Sequence, residues 1–516
     1  MYISNFLIRN SKKLPNKISF ICNEKKITNS ELYENVKNIV FNLRKIGLRK
    51  GNTIALILHN SIVYPQIFLA ASYMDLNIAP LNPLISKNDI LKQLQELNIK
   101  ALFSWEDYLK TIDLKKININ KKYCFDLNSK SKIFQNFDKL LINPNNKFKL
   151  IIKKNNYNKN FLFGLTSGST SEPKVVSWSQ KTKILRSRHA KKIYNLNIND
   201  NLIISTPMYH SISFRLIILP IFLNTTCIIL DKFNKENWIK NIKIHKVTFS
   251  ILVADQIEKI YQNLNNKSLK SLKTLVSCCS PLSKKIKQSI IKYKNLDVYD
   301  TYGASEVGTI TNINLKKEKN KINSNGKPTP GYAIKILYNN KLFSKPNIES
   351  EICCNTKNIF SGYYKNKTNY QNTLNNKYYL TGDIGYLDRH NYLYVTGRKK
   401  DIIIRGGINI YPLDIEKILN KFPFIDETCV IGLVDKKLGE KICVLILSKN
   451  IKKINTAKLF KYCINNLADY QIPSIFYHVK ELPRGSLNKV SKYKIKKNLS
   501  NYVSKKNIFF NNYSIF

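Results

Sequence analysis

Short β-rich runs alternate with amphipathic stretches along most of this chain, and that rhythm constrains the fold more than any other feature. TIALIL (53–58), NLIIST (201–206), TCIIL (226–230), TFSILV (248–253) and LKTLVS (272–277) are the β-rich runs. SELYENVKNIVFNLRKIG (30–47) and similar segments between them carry apolar residues at helical spacing. Such alternation predicts α/β layers with a largely parallel sheet. Between Lys327 and Asp388 the pattern turns to strands broken by Gly, Pro and Asn, which predicts a small β-subdomain. After Arg398, KKDIIIRGGINIYPLDIEKILNKF leads to the runs TCVIGLV and ICVLILS and a helix around Leu459 to Leu467, an α+β module. The expected architecture is α/β: a large N-terminal domain of layered sheets with a β-subdomain (1–398), a hinge (399–401), a small mobile α+β C-terminal domain (402–500) and a tail (501–516).

The 516 residues allow a large core, and the hydrophobic fraction of 43% excludes a disordered chain. The longest apolar stretch, FRLIILPIFLNTTCIIL, is interrupted by Arg215, Pro220 and Asn224 and reads as buried strand or helix rather than as a membrane span. The start, MYISNFLIRNSKK, has no signal-peptide pattern. Ten cysteines without a C-x-x-C pair read as reduced thiols of a cytoplasmic protein, and six histidines without H-x-x-x-H spacing give no zinc site. A net charge of +51 raises the possibility of nucleic-acid binding. The lysines are scattered among Asn and Ile, as A/T-rich codons would scatter them, whereas a binding face needs them gathered. The lysine-rich end, KKNLSNYVSKKNIFFNNYSIF, reads as a solvated helix with a frayed terminus.

FGLTSGSTSEPKVVSWS (163–179) places hydroxyl residues around Gly168 and then reaches Pro173-Lys174. Backbone N–H groups, hydroxyls and a lysine together suit a phosphate. A Walker A loop would need a glycine before the lysine and a hydroxyl after it, but Pro173 and Val175 stand there. The G-x-S-x-G of serine hydrolases is also absent. Taken alone, the loop is equally well a polar surface turn.

It does not stand alone. TSGSTSEPK (166–174) resembles the phosphate loop of the AMP-forming acyl- and aryl-CoA synthetases, the adenylate-forming family that includes luciferases and carrier-protein adenylation domains. PMYHS (207–211), SLKTLVSCCSPLS, DTYGASEVG (300–308), YYLTGDIGY, GRKKDIIIRGGINIYPLDIE and LPRGSLNKV (482–490) resemble further blocks of that family, in order, over nearly the whole chain. The resemblance implies ATP and Mg²⁺ as cofactors and coenzyme A as co-substrate. A carboxylate repels nucleophiles, so it is first joined to AMP, and the resulting anhydride is then open to a thiol.

By the same resemblance, Thr166, Ser167, Gly168, Ser169, Thr170 and Lys174 would cradle the departing phosphates. Glu306 and Thr170 would hold Mg²⁺. Ser280 and Pro281 would border adenine, Tyr302 would stack on it, Gly303 would adjoin the nucleotide, and Ser305 would reach the α-phosphate. Asp383 would accept both ribose hydroxyls, with Arg398 beside it. Lys489 would bridge carboxylate and α-phosphate. Lys400 would be the hinge, and Gly406 and Gly407 would approach the pantetheine arm. His210, Ile212, Thr301 and Gly303 would line the acyl pocket, His210 either as its gate or as a half-buried structural histidine. Arg215 would pair with a second substrate carboxylate or, as the simpler expectation, with a structural one.

Ser171, Cys278, Cys279, Gly485 and Asn488 depart from the family pattern, four of them at glycines, without removing a charged catalytic group. The expected activity is ATP-dependent ligation of a carboxylic acid, fatty or otherwise apolar, to coenzyme A. The rivals are a stand-alone enzyme loading a carrier protein, a basic nucleic-acid-binding protein, and an inactive homologue.

Overall fold

The computed structural model describes residues 2–511 apart from 129, 143–146, 155–158, 167–173, 265–266, 294–295, 436, 485–489 and 503–507. Ser167, Gly168, Ser169, Thr170, Ser171, Gly485, Asn488 and Lys489 therefore lie outside the described residues.

The β-rich runs form two sheets. In the first, Ile18–Cys22, Thr226–Ile229, Asn201–Ile204, Phe249–Val253, Thr274–Cys278 and Asp297–Ala304 are successive parallel neighbours. Antiparallel strands close both of its edges, Lys25–Thr28 at one and Gly308–Asn314 with Lys327–Pro328 at the other. In the second, Asn160–Thr166, Asn77–Pro80, Thr53–Leu56, Ile99–Ser104 and Cys124–Asp126 run parallel. Lys174–Ser179 returns antiparallel beside Asn160–Thr166, so the hydroxyl-rich loop connects a hairpin.

Helices fill the space between the sheets. Asn29–Lys45 opens on a capping box, Thr28 with Glu31, and buries Leu32, Val36, Ile39, Val40 and Leu43 along one face. Each such side chain contributes roughly 1.5–3 kcal/mol of transfer free energy. Val63–Met74 and Ser211–Leu223 are buried almost all round, as helices held between layers must be. The stretch interrupted by Arg215 and Pro220 is thus a helix, ended by left-handed Asn224, followed by the strand Thr226–Ile229.

The β-subdomain is an antiparallel sheet built on Tyr332–Tyr338, Ser350–Thr356, Tyr378–Leu387 and Leu393–Arg398. It extends to Arg398, beyond the expected end at Asp388. After it, the hairpin Glu427–Asp435 with Gly439–Leu447 centres a last sheet, flanked by the helices Pro412–Leu419 and Thr456–Asn466. The chain end corrects one expectation. Ile508–Asn511 is not a frayed helix but a strand antiparallel to Ile475–Val479, because that strand offers a free edge. No helix among the described residues is long and apolar enough to cross a membrane. None of the ten cysteines forms a disulfide.

Candidate active site

A cleft of about 1340 Å³ opens at the carboxyl ends of the parallel strands of the first sheet. That is where crossover loops diverge and leave room for a ligand. One wall follows Thr274–Cys278 with Cys279, Ser280 and Pro281; another comes from Thr301 to Glu306; a third is Tyr209, His210, Ile212 and Arg215. Thr381, Gly382, Arg398 and Lys400 close one side, and Pro412, Glu416, Arg484 and Val490–Tyr493 cover it from the C-terminal module.

The hairpin around the hydroxyl-rich loop delivers Lys174 to this cleft. Gly164 is required in the outgoing strand, because a Cβ there would lie 2.5 Å from the Trp178 ring of the returning one. Gly362–Tyr363 continues the sheet beside Lys174–Ser179, setting the Tyr363 ring 5.2 Å from the Lys174 ammonium. The Tyr363 hydroxyl donates to Glu306 Oε1 at 3.3 Å. Sequence reasoning missed Tyr363; its only signal was its place in a short extended run.

Glu306 sits in a tight turn between antiparallel strands. Gly303 is obligatory there, since a Cβ would meet the Gly308 carbonyl oxygen at 2.0 Å. The turn is held from behind by buried Arg186, which donates to the carbonyls of Ser305 at 2.9 Å, Glu306 at 2.7 Å and Asn358 at 3.0 Å. Trp178 Nε1 adds a bond to Ser305 at 3.0 Å, and the Phe360 N–H one to Glu306 at 2.7 Å. With its carbonyls engaged at the back, the turn presents the Glu306 carboxylate to the cleft. Burial raises the pKa of that carboxyl above the ordinary range. Arg186 lies on the helix Gln180–Ile193 that follows the hairpin, and no sequence block marked it.

Asp383 is buried and uses both oxygens: Oδ2 accepts from the Tyr302 hydroxyl at 2.7 Å and Oδ1 from Arg398 Nε at 2.8 Å. Tyr302 was expected as a stacking ring; it lines the cleft but is also tied to Asp383, which fixes its plane. Each carboxylate oxygen keeps a second lone pair for a sugar hydroxyl. Next to it Glu351, also buried, accepts from the Gly382 N–H at 3.2 Å and from Lys399 at 2.8 Å, joining the Asp383 turn to the segment before Lys400.

Ser280, Pro281, Thr301, Gly303, Ser305, His210 and Ile212 all line the cleft. His210 precedes the helix Ser211–Leu223, and burial lowers its pKa to about 4, so the ring is neutral. Cys279 has φ +74°, a conformation that suits the glycine of the family pattern and strains any other residue by about 1 kcal/mol or more. The structural salt bridge expected for Arg215 is not present among the described residues; its NH2 donates instead to Thr309 Oγ1 at 3.2 Å.

Arg484 and Val490 pair as a β-bridge, the Ser491 N–H donates to the Pro483 carbonyl at 2.8 Å, and Arg484, Val490 and Ser491 line the cleft. Lys492 also faces the cleft, ion-paired to Glu416 at 2.8 Å, another pair without a sequence signal. Lys400 lines the cleft, its pKa lowered by desolvation. Gly406 and Gly407 are not among the lining residues; they form the exposed, positive-φ turn of the hairpin Ile403–Ile410.

Among the described residues no group of three metal-ligating side chains occurs. Mg²⁺ in phosphoryl-transfer sites is held by one or two carboxylates plus substrate oxygens and water, so the lone Glu306 suits it and a protein-made cage is not needed. There Mg²⁺ would neutralise phosphate charge.

The profile of the AMP-binding enzyme family matches residues 7–364, and that of the AMP-binding enzyme C-terminal domain matches 414–489. The 2-succinylbenzoate–CoA ligases of Oceanobacillus iheyensis and Bacillus cytotoxicus are 28% and 25% identical over 488 residues, covering 91% and 94% of this chain and 94% and 96% of theirs. The structure of O-succinylbenzoate coenzyme A synthetase from Bacillus subtilis in complex with AMP superposes with a TM-score of 0.84 at 24% identity, over 95% of this chain and 98% of that one. ATP-bound MatB from Rhodopseudomonas palustris gives 0.84 at 20%, over 96% and 99%. The fold is that of adenylate-forming enzymes, and the chain belongs to the AMP-binding enzyme family. Within it the protein is an AMP-forming acid–thiol ligase that makes an acyl-CoA through an acyl-adenylate, with ATP and Mg²⁺ as cofactors and coenzyme A as co-substrate.

Proposed function

We propose that the acid is an aromatic keto-dicarboxylate, 2-succinylbenzoate, in place of the fatty or simple apolar acid that the sequence alone favoured. The observation that carries this reading is the near end-to-end match to ligases named for that acid. A cationic, hydrogen-bonding wall at Arg215 and Thr309, where a fatty tail would want only apolar neighbours, supports it. Asp383 and Arg398 take the ribose, Ser280 and Pro281 flank the base, and Tyr302 fixes its plane. Thr166 to Thr170 and Lys174 hold the leaving pyrophosphate, with Glu306 and Thr170 on Mg²⁺. His210, Ile212, Thr301 and Gly303 contain the acyl chain, the neutral His210 as its gate.

Lys489 bridges the substrate carboxylate and the α-phosphate and offsets the charge that builds as the two anions meet. The position of Arg484 and Val490 on the cleft supports that role. In this reading the orientation described is the adenylating one. Rotation about Lys400, between the units 1–398 and 402–500, then brings the Gly406–Gly407 turn to the cleft for thioester formation. With all its thiols reduced, the enzyme works in the cytoplasm.

Pyrophosphate release across a panel of acids, with and without coenzyme A, tests the substrate and the acceptor together. 2-Succinylbenzoate should give the highest kcat/KM, and release should become catalytic only with coenzyme A. A long-chain fatty acid as best substrate overturns the reading. Lys489→Ala should abolish adenylate formation while sparing thioester formation from supplied acyl-adenylate; near-normal adenylation by that variant removes the role given to Lys489.

A further inference from the structure

Two of the ten cysteines stand apart from the rest. Cys278 and Cys279 are half-buried and line the cleft, whereas the other eight are buried. Burial raises the pKa of each of those eight thiols, which leaves them inert at neutral pH. A second adjacent pair, Cys353 and Cys354, lies inside the strand Ser350–Thr356, where consecutive side chains point to opposite faces of the sheet. That pair is closed both to reagents and to each other. The Cys278–Cys279 pair is closed to neither.

Cys278 ends the strand Thr274–Cys278, and Cys279 follows in a left-handed conformation with φ +74°. That turn of the backbone breaks the alternation of the strand, so two consecutive side chains reach the same cleft. Their surroundings differ. Cys278 packs against the apolar core and its Sγ donates to the Leu252 carbonyl at 3.5 Å, and Cys279 is not part of that packing. Cys279 is therefore the sulfur presented for attack, and Cys278 is the one held beside it. Ser280 and Pro281 follow directly and line the cleft as well, so a change at the two sulfurs is a change in the wall they form.

We propose that Cys278 and Cys279 form a modification site for small-molecule disulfides such as oxidised glutathione, closing to an internal disulfide on the wall of the cleft. The Cys279 thiolate attacks one sulfur of the small disulfide, and the first glutathione leaves as a thiolate that takes up a proton. Cys278 then gives up its proton and attacks the Cys279 sulfur, releasing the second glutathione. Two protein thiols are oxidised, one disulfide is reduced, and two protons pass to the departing thiolates. Adjacent Cα atoms lie about 3.8 Å apart, short of the roughly 4.4–6.8 Å that disulfides usually span. The closed ring is therefore strained and easily reduced, which makes the modification reversible. Closure also redirects the chain just before Ser280 and Pro281. Its effect on ATP rests on the proposed function, which sets the base against those two residues: with the base placed there, the closed ring shuts ATP out.

The test treats the full chain with oxidised glutathione and maps its thiols by peptide mass. The peptide carrying Cys278 and Cys279 should lose two hydrogen atoms, while Cys353 and Cys354 stay reduced. Cys278→Ser cannot close the ring and should hold glutathione on Cys279. ATP with Mg²⁺ at about ten times its Kd should slow closure about 10-fold, because roughly one site in eleven is then empty. ATP binding, followed by calorimetry, should fall in step with closure and return with dithiothreitol. Cys279→Gly, which suits the left-handed backbone, should keep its own untreated affinity throughout. Oxidation confined to other cysteines, a glutathione adduct that never closes in the wild type, or equal loss of ATP binding in Cys279→Gly overturns the site. Closure at the two cysteines that ATP does not slow, and that leaves ATP binding intact, would instead sink the placement of the base at Ser280 and Pro281 while keeping the modification site.

Discussion

Replacing Arg186 by alanine removes the side chain that ties the Ser305–Glu306 turn to Asn358, with two bonds to the turn and one to Asn358. The three carbonyls are not equally harmed. Ser305 retains Trp178 Nε1 and Glu306 retains the Phe360 N–H, whereas Asn358 loses the donor Arg186 supplies. One buried carbonyl left unsatisfied costs about 1–3 kcal/mol, and the two lost extra bonds about 1 kcal/mol each. Against this, a guanidinium no longer has to be buried; desolvation already lowers its pKa to about 10. The net loss is about 3 kcal/mol, worth about 4 °C in melting temperature for an N-terminal unit of this size.

The functional loss should be larger than the stability loss. Glu306 then faces the cleft from a looser turn, and a displacement of roughly 1 Å at a reacting centre costs on the order of 100-fold in rate. ATP–pyrophosphate exchange should therefore fall about 100-fold, with more Mg²⁺ needed for half-maximal rate, while thioester formation from supplied acyl-adenylate is affected far less. Arg186→Lys keeps the charge but not the fork, and should recover the melting temperature more than the rate. Normal exchange in Arg186→Ala at limiting Mg²⁺, beside the lowered melting temperature, would show that the grip serves only folding and would refute the reasoning.

Two further outcomes follow from the site. Asp383→Asn keeps the shape but breaks the charge-assisted bond to Arg398, so KM for ATP should rise about 10-fold or more with the melting temperature little changed; an unaltered KM removes Asp383 from the ribose. His189 and His210 both titrate near about 4 in the folded protein because burial disfavours their charged form, against about 6.5 unfolded. The unfolded chain thus binds more protons between those values, and stability must fall as pH drops through that window. Each histidine should cost about 2 kcal/mol between pH 7 and pH 5, read by denaturant titration, and His189→Gln should flatten the slope by its share.

The alternation of short strands and helices, the hydroxyl-rich loop and the ordered blocks are local patterns, and local patterns are written in consecutive residues. They were enough to predict the layered sheets and the β-subdomain, and the family resemblance they carry was enough to single out Glu306 and His210, both of which line the cleft. They could not reveal Arg186 behind Glu306, Tyr363 across from Lys174, Glu351 beside the hinge, or the Lys492–Glu416 pair, because none of these is a neighbour in sequence. Arg215 shows the difference most clearly. Its letter in an apolar run announced a buried charge, but whether a carboxylate of the protein or of the substrate answers it depended on what the two helices bring together. The end of the chain was misread for a related reason: a strand there needs the edge of Ile475–Val479, and an edge exists only once the sheet has formed. Consecutive residues thus decided which elements form and in what order. The partners of its buried charges were decided by packing, since a desolvated group is satisfied by whatever the fold sets beside it.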